Sequence, residues 1–403
     1  MTQWFPPEPG ALVPESMARS LAQRGHEVHV LTGFPNYPTG HLPDGWRIRP
    51  YQRDEFAPGI TVHRAPLYPS HDVRPVPRMG NYLSFALGAT SVALTRLPRP
   101  DVWLTYSSPA TAALPAMLAR RGMRAPTGMV IQDLWPDSVT GSGFVKGRAA
   151  RTIDAVLEPF CRWTYHHADA IGVISPGMGD LLVSRGVHAA RIHPTPNSVD
   201  DTFIQGASPV DLRSVLGVNY GRIFLYAGNF GPMQDLLPLV TAFSGLDHAH
   251  LVLLGDGVER PAVTAAAAGL PNVHVLPPVP TSEVGGWLLG ADVQAVSLRD
   301  DALLRVTMPS KVQTSLATGR PVLVHAAGDA ADLITGAGAG RCAPPGDVHA
   351  VRAAVTSMTT ASEEDLGQMG TNARTLYEER FTTSAAGRQL EAMLMAAVRR
   401  GEQ

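Results

Sequence analysis

The feature that most constrains this chain is an alternation of short apolar strands and amphipathic helices that runs through the sequence twice. The first run ends near residue 200, and the second begins at the apolar segment 222–228. Strands separated by helical segments pair in parallel, because a parallel neighbour needs a long crossover connection. The chain has 403 residues, which is enough for two such domains. The predicted fold class is α/β, with two doubly wound, Rossmann-like domains facing a central cleft.

The periodicity also predicts where the elements and domains lie. An N-terminal domain is expected over 1–200, a C-terminal domain over 201–380, and a C-terminal helix over 381–403 that packs back toward the first domain. Only Met1 to Phe5 remain for a strand before the first helix, so either the first strand is short or the true start lies upstream. The interval 33–59 predicts a long surface loop, and 201–220 predicts a linker. The helix predicted at 77–97 has an apolar face that we assign to the core, with a membrane-surface patch as the alternative; that face contains Tyr82, Phe85, Leu87 and Leu94.

Polar and glycine residues follow the predicted strands at their carboxyl ends, where doubly wound sheets bind ligands. Glycine at such a turn lets an anionic ligand approach the backbone, although turns also need glycine for their own geometry. In the first half these residues are Gly10, Ser107, Ser108, Asp133, Asp137 and Asn197. In the second half they form two glycine loops, Gly228-Asn229-Phe230-Gly231 and Gly255-Asp256-Gly257.

A cationic loop follows the strand predicted at 292–298. It contains Arg299, Arg305 and Lys311, and it ends at Pro309-Ser310, where proline favours a turn and serine favours an N-cap. A helix N-terminus carries partial positive charge and free N–H groups, so this loop suits a polyanion. Lysine occurs only at positions 146 and 311, which indicates that Lys311 is not generic surface charge. The alternative is an ordinary serine-capped helix with a solvated lysine.

Composition excludes several classes of function. A net charge of −2 gives no bulk attraction to nucleic acid. The two cysteines have no metal-binding spacing and imply no disulfide framework, so we expect a cytoplasmic protein without a metal or other cofactor. No apolar run reaches about 18 residues, so no membrane span is predicted. Complete dinucleotide-binding, phosphate-loop and nucleophile-elbow motifs are all missing from the sequence.

The chain resembles the family 4 retaining glycosyltransferases of the GT-B fold, in their WbuB-like branch. Matching segments occur in order over nearly the whole length. They are Phe5-Pro-Pro-Glu, Arg24-Gly-His-Glu-Val, Leu31-Thr-Gly-Phe-Pro-Asn-Tyr-Pro, Leu67-Tyr-Pro-Ser-His, Asn81-Tyr-Leu-Ser-Phe, Ile131-Gln-Asp-Leu-Trp-Pro, Ala168-Asp-Ala-Ile, Tyr226-Ala-Gly-Asn, Leu254-Gly-Asp-Gly, Leu298-Arg-Asp-Asp, Pro309-Ser-Lys and Gly319-Arg-Pro-Val-Leu. The resemblance implies metal-independent transfer of a hexosyl or related group from a UDP- or GDP-linked sugar.

The same resemblance implies roles for individual residues. The catalytic candidates are Asp133, Arg299 and Lys311, of which the two cations would stabilise charge on the leaving diphosphate. The donor candidates are Gly10, Gly228, Asn229, Gly231, Gly255, Asp256, Gly257, Arg305, Pro309, Ser310 and Thr314. The acceptor candidates are Ser107, Ser108, Trp135 and Asp137. The acceptor would be a small molecule or a lipid-carrier-linked sugar, made for an aminoglycoside- or lincosamide-type antibiotic or for a polysaccharide. Nucleic acid is not expected as a partner, and membrane contact would be peripheral at most.

One departure from the family pattern affects the donor site. The family has Glu after Pro-Ser-Lys, where it accepts hydrogen bonds from the ribose hydroxyls, and the aligned residue here is Thr314. A threonine hydroxyl does not replace both carboxylate oxygens as acceptors. Gln313 or water would then compensate, or the donor would lie differently. The departure keeps two alternatives open, a non-catalytic nucleotide-sugar-binding protein and a nucleotide-sugar epimerase of the same fold.

Overall fold

Strands and helices alternate through most of the chain in the computed structural model, which describes residues 1–72, 74–123, 125–135, 137 and 148–402. Contacts divide the chain into two units, one comprising Met1–Asn197 with Ala386–Gln403 and the other Ser198–Ala385. The predicted α/β class is confirmed, because both units contain parallel sheets with helical connections.

The strands are β1 (Val28–Gly33), β2 (Gln52–Ala57), β3 (Ile60–Ala65), β4 (Trp103–Ser107), β5 (Thr127–Ile131), β6 (Ala170–Val173), β7 (Ile192–Pro194), β8 (Arg222–Asn229), β9 (Ala249–Asp256), β10 (Val273–Leu276), β11 (Val293–Ser297), β12 (Val322–His325) and β13 (Gly340–Ala343). The helices are α1 (Leu12–Gln23), α2 (Pro75–Arg96), α3 (Leu114–Met123), α4 (Arg148–His167), α5 (Pro176–Ser184), α6 (Thr202–Gln205), α7 (Leu212–Leu216), α8 (Leu236–Ala242), α9 (Arg260–Ala267), α10 (Thr281–Gly290), α11 (Ala302–Arg305), α12 (Ser310–Ala317), α13 (Asp329–Ala337), α14 (Val348–Thr360), α15 (Glu363–Arg380) and α16 (Thr383–Gly401).

The first unit contains a four-stranded parallel sheet and a smaller three-stranded sheet. The strand orders are β4-β5-β6-β7 and β1-β3-β2, and β2 runs antiparallel to β3. The extreme N-terminus lies between the two sheets without forming a regular strand. The N–H of Thr2 donates to the carbonyl of Leu31 in β1 at 3.1 Å, and the N–H of Tyr106 in β4 donates to the carbonyl of Met1 at 2.9 Å. Residues 1–3 therefore connect the two sheets in the position expected for a first strand.

The end of α16 completes the core of the first unit. Its buried residues Leu390 and Met393 pack in one cluster with Val130 of β5 and Ala170 of β6. Burying these side chains favours holding the C-terminal residues against the sheet, since each removes apolar surface from water.

The second unit is one six-stranded parallel sheet in the order β10-β9-β8-β11-β12-β13. This is the Rossmann order, and it places the topological switch point between β8 and β11. Apolar clusters cover both faces, one containing Leu225, Val296 and Val312 and the other containing Phe224, Leu253 and Val355. Ligand-binding residues are therefore expected where β8 and β11 end.

Three local predictions were wrong. The interval 33–59 contains β2, whose polar sequence and antiparallel edge position give no clear alternation. The interval 201–220 contains the short helices α6 and α7. The apolar face predicted for α2 is also divided, because Tyr82 and Phe85 are buried while Leu87 is 68% and Leu94 is 51% exposed. Among the described residues, no helix is both long enough and apolar enough to cross a bilayer.

Candidate active site

The glycine loop after β8 lies at the switch point of the second unit. We use this name for residues 228–235, which include Gly228, Asn229 and Gly231. The backbone N–H of Arg299, just beyond β11, donates to the carbonyl of Met233 in this loop at 2.9 Å. The two sequence features chosen independently, the glycine loop and the cationic loop, are thus in direct contact.

Lys311 lies in the first turn of α12 and reaches the base of the glycine loop. Its ammonium donates to the hydroxyl of Tyr226 at 2.7 Å and lies 4.6 Å from the centre of that ring. The Tyr226 hydroxyl in turn donates to the carbonyl of Asn229 at 2.6 Å. Burial lowers the pKa of Lys311 to about 8, because low polarity disfavours the charged form. Burial also raises the pKa of Tyr226, so its hydroxyl stays neutral.

Glycine is required at three predicted positions by both conformation and space. Gly228 has φ 140°, and a Cβ there would collide with the Lys311 side chain. Gly255 has φ 155° and Gly257 has φ 156°, and side chains there would strike the backbone at Gly228 and Phe230 respectively. The loops after β8 and β9 therefore pack directly on each other, and an added side chain at Gly255 or Gly257 would separate them.

Side chains within the two glycine loops complete their local structure. The Oε1 atom of Gln234 accepts from the backbone N–H of Gly231 and from the amide of Asn229, both at 3.2 Å. Asp256 accepts from the N–H of Gly257 at 2.8 Å, which stabilises the turn after β9. Asn229 and Asp256 are exposed, so their remaining polar atoms face solvent at the carboxyl edge of the sheet.

The cationic loop carries its arginines differently. The Arg299 guanidinium lies 3.4 Å from Asp301 and is 42% exposed. Arg305 makes a two-contact ion pair with Asp300 at 2.8 and 2.9 Å, and both partners are more than half exposed. The pair with Asp300 raises the pKa of Arg305 through hydrogen bonding and charge. Arg299 is therefore the less constrained of these two cations.

The helix α12 starts where the sequence predicts, but the predicted serine N-cap is wrong, because within the described part of the chain no side chain caps this helix. Pro309 occupies the N-cap position with an extended backbone, and the helix begins at Ser310. Thr314 is half-buried, whereas Gln313 is 1% exposed and its amide nitrogen has no hydrogen-bond partner among the described residues. Gln313 points into the fold, so its burial does not favour it as the replacement for a ribose-binding carboxylate.

In the first unit, the acceptor candidates Ser107 and Ser108 and the catalytic candidate Asp133 lie at strand ends of the four-stranded sheet, whereas the donor candidate Gly10 does not. Ser108 donates to the exposed Asp133 carboxylate at 2.8 Å, which links the ends of β4 and β5. Ser107 is buried, and Gly10 lies in a short 3₁₀ turn close to the ring of Tyr37. The structure thus brings Ser108 and Asp133 together and leaves the carboxylate accessible.

Trp135 and Asp137 take part in packing and ion pairing. The ring of Trp135 is 8% exposed and lies edge-on to Tyr82 at 6.2 Å. Asp137 forms an ion pair with Arg185 at 2.6 Å. The sequence indicated Asn197 but not its partner, which is Gln132. The side-chain amides of Gln132 and Asn197 donate to each other at 2.8 and 2.9 Å. Pro136 of the quoted motif lies outside the described residues.

No group of three or more histidine, cysteine or acidic side chains suits a metal ion among the residues the structure describes. Lys311, Arg299 and the N-terminal end of α12 place positive charge at the switch point.

Comparison with known proteins identifies the class. Residues 11–198 match the family described as glycosyl transferase 4-like domain, and residues 221–360 match the family described as glycosyl transferases group 1. The two matches together span most of both units. The chain therefore belongs to the family 4 type of glycosyltransferase with the GT-B fold, and the predicted enzyme class is confirmed.

Individual relatives agree with this assignment. The chain is 28% identical over 327 residues to the colanic acid biosynthesis glycosyl transferase WcaI of Escherichia coli, covering 77% of this chain and 78% of WcaI. It is 26% identical over 328 residues to the GDP-mannose-dependent alpha-mannosyltransferase of Mycolicibacterium smegmatis, covering 78% of this chain and 75% of that protein.

Solved structures support the fold alone. Sucrose-phosphate synthase from Thermosynechococcus elongatus has a TM-score of 0.69 at 18% identity, covering 95% of this chain and 92% of that one. The Anabaena protein HepE in complex with UDP-glucose has a TM-score of 0.63 at 15% identity, covering 98% of each chain.

Proposed function

We propose that this protein transfers a hexosyl or related group from a UDP- or GDP-linked sugar, with retention of anomeric configuration and without a metal ion. The acceptor is a small molecule or a carrier-linked sugar of polysaccharide or antibiotic biosynthesis. The observation that carries the proposal is the position of Lys311, whose ammonium lies beneath a glycine loop at the Rossmann switch point.

The chemistry of the leaving group explains why this arrangement suits the reaction. Cleaving the bond between the sugar and the nucleotide leaves negative charge on the terminal phosphate of a nucleoside diphosphate. Fixed positive groups stabilise that charge more in the transition state than in the ground state, which lowers the barrier. Lys311, Arg299 and the first turn of α12 supply such groups, so the proposal assigns no role to a metal ion.

The choice of donor rests on the relatives. The mycobacterial relatives are named for dependence on GDP-mannose, and WcaI is named for colanic acid biosynthesis. HepE has been solved with UDP-glucose, although its identity to this chain is 15%. These names support a nucleotide-sugar donor.

Asp133 is the proposed polar group on the acceptor side. It is exposed at the strand ends, and Ser108 donates to one of its two oxygen atoms. A carboxylate held in this way would accept a hydrogen bond from an acceptor hydroxyl. Asp137 is a weaker candidate, because Arg185 already occupies its carboxylate.

The test is product formation with a panel of UDP- and GDP-linked sugars, with and without EDTA, in the wild type and in the Lys311→Ala and Arg299→Ala variants. Each replacement should lower kcat/KM by about 30- to 1,000-fold, equivalent to about 2–4 kcal/mol of transition-state stabilisation. Arg352→Ala is a control, since Arg352 contacts the backbone of Ser244 rather than either loop. Unchanged kcat/KM in Lys311→Ala would rule out its role, and loss of activity in EDTA would rule out metal independence.

Thr314 favours one alternative, a protein of this fold that binds a nucleotide-sugar without transferring the sugar. Threonine provides fewer acceptor atoms for ribose hydroxyls than a glutamate would. Acceptor-dependent release of nucleoside diphosphate separates the two functions, because only a transferase shows it. Binding of the nucleotide-sugar without such release, across a broad acceptor panel, would support the alternative.

A further inference from the structure

A completely buried histidine lies behind the glycine loop. His325 is 0% exposed at the end of β12, and it is paired in register with Ser297 at the end of β11. Both polar side chains lie in the interior of the sheet, where unpaired polar groups are costly. Both side chains are therefore expected to be hydrogen-bonded.

The directions of these hydrogen bonds fix the protonation of the ring. The backbone N–H of Gly346 lies 2.8 Å from Nε2 of His325. A backbone N–H only donates, so Nε2 is the acceptor and the neutral ring carries its proton on Nδ1. Nδ1 lies 2.9 Å from the Ser297 hydroxyl and donates to it. The hydroxyl then donates its own proton to the carbonyl of Gln234 at 2.6 Å.

This chain of hydrogen bonds ends in the glycine loop. Gln234 is the residue whose side chain holds Gly231 and Asn229. The next residue, Asp235, has φ 44°, a left-handed conformation that residues other than glycine rarely adopt. The Ser297 hydroxyl also lies 3.2 Å from the Asp235 carbonyl. The loop is thus held against its local backbone preference by a contact from the sheet.

We infer that His325, acting through Ser297, is a positioning residue that holds the glycine loop of the donor site, and that it does so only as the neutral tautomer protonated on Nδ1. The inference rests on the proposed function, since it assigns the glycine loop to the donor. Protonation of the ring would place an N–H at Nε2 opposite the N–H of Gly346, so two donors would face each other.

The surroundings of the ring favour its neutral form. Burial lowers the pKa of His325, and this effect exceeds the opposite effect of two carboxylates. Those charged groups are Asp235, from the glycine loop, and Asp347, from the start of α14. Protonation is therefore expected only on the acid side of the ordinary histidine pKa, where loop order and donor affinity should fall together.

The experiment measures the binding of UDP and GDP by calorimetry in the full-length wild type and in the Ser297→Ala, His325→Gln and His325→Phe variants. Ser297→Ala and His325→Phe interrupt the chain and should weaken binding of the preferred nucleotide by about 5- to 10-fold. In these two variants the KM for the donor should rise as nucleotide binding weakens, while the KM for the acceptor stays unchanged. Glutamine offers one donor and one acceptor without titrating, so His325→Gln should bind more tightly than His325→Phe and lose the fall in affinity at acid pH.

His250→Phe is the matched control. His250 is a second buried histidine in the same sheet, 6% exposed, and its ring contacts the carbonyl of Tyr220 away from the glycine loop. Its replacement should lower the melting temperature without changing nucleotide affinity. Should a His325 variant fail to fold, Ser297→Ala carries the test with the loss of a single hydroxyl.

The outcomes distinguish this inference from the proposed function. Unchanged nucleotide affinity in a folded Ser297→Ala variant overturns the positioning role and leaves the proposed function intact. An equal loss of affinity in His250→Phe shows a general stability effect and also overturns it. A wild type that binds neither nucleotide refutes the proposed function, and the positioning role with it.

Discussion

Raising the pH from 7 to 9 should weaken nucleoside diphosphate binding by neutralising Lys311. Its pKa is about 8 in the free protein because of burial. A bound diphosphate favours the charged ammonium and so raises that pKa. The affinity for the nucleoside diphosphate is therefore close to its maximum well below pH 8. It falls as the pH rises above 8, until the pKa of Lys311 in the complex is reached.

The magnitude follows from the free-protein pKa. With a pKa near 8, the ammonium fraction is about 90% at pH 7 and about 10% at pH 9, so Kd should rise roughly 10-fold. Binding at pH 9 should also take up nearly one proton. Tyr226 does not contribute, since burial raises the pKa of its hydroxyl far above this range.

Calorimetry with UDP and GDP in two buffers of different ionisation enthalpy measures both the Kd and the proton uptake. Lys311→Arg is the matched variant, because a guanidinium keeps its charge throughout this range. Its affinity should be nearly independent of pH, even if the larger head group binds less tightly. A constant Kd in the wild type, or an equal slope in Lys311→Arg, would refute the reasoning.

Three further predictions concern separate parts of the chain. Gly228→Ala should reduce nucleotide affinity about 10-fold or more, because its Cβ would displace Lys311. The control is Gly217→Ala, at a position with φ 67° and open space around it, which should change only stability. A normal Kd in Gly228→Ala would contradict the contact with Lys311. Asp133→Asn should lower kcat/KM and leave donor-nucleotide affinity intact, whereas loss of nucleotide binding would place this residue elsewhere. Anionic vesicles at physiological salt should sediment only a small fraction of the protein. The reason is that Arg78 and Arg96 lie at the ends of α2, beyond its exposed Leu83 and Leu87, so this face attracts anionic lipid weakly. Complete sedimentation that Leu87→Glu abolishes would contradict this prediction.

The elements that sequence reasoning identified are those with strong periodicity. Strands β8 to β12 of the second unit and α15 at Glu363–Arg380 follow directly from their apolar patterns, whereas the short strand β13 was not predicted, because Gly340–Ala343 has no apolar run. The strand β2 was missed because Gln52 to Glu55 are polar and lie at a sheet edge, where one face needs no apolar residues. Periodicity located α2 but assigned Leu87 wrongly to the core, because an apolar stripe does not reveal whether another element covers it.

The same distinction applies to the site. Gly228 and Lys311 were predicted as site residues because phosphate binding requires glycine and a cation near strand ends, which the sequence shows directly. Tyr226, Ser297 and His325 were not found, because their roles depend on contacts with residues 85, 63 and 21 positions away. The residues that position a site are therefore harder to read from sequence than those that face its ligand.

Thr314 combines these considerations in a final prediction. Its side chain lacks the carboxylate that would accept two ribose hydroxyls, so the diphosphate should carry a larger share of the affinity, which should then fall steeply with salt. The side chain of Gln313 is buried in the fold, whereas Thr314 is half-buried. The Gln313 amide therefore does not occupy the space beside Thr314. Thr314→Glu should therefore tighten nucleotide binding by about 5- to 100-fold. It should also reduce the salt dependence, since hydrogen bonds to the ribose would again contribute to the affinity. Thr314→Gln matches the size without the charge and should gain less. Equal or weaker binding in a folded Thr314→Glu variant would mean that this protein holds ribose by another route.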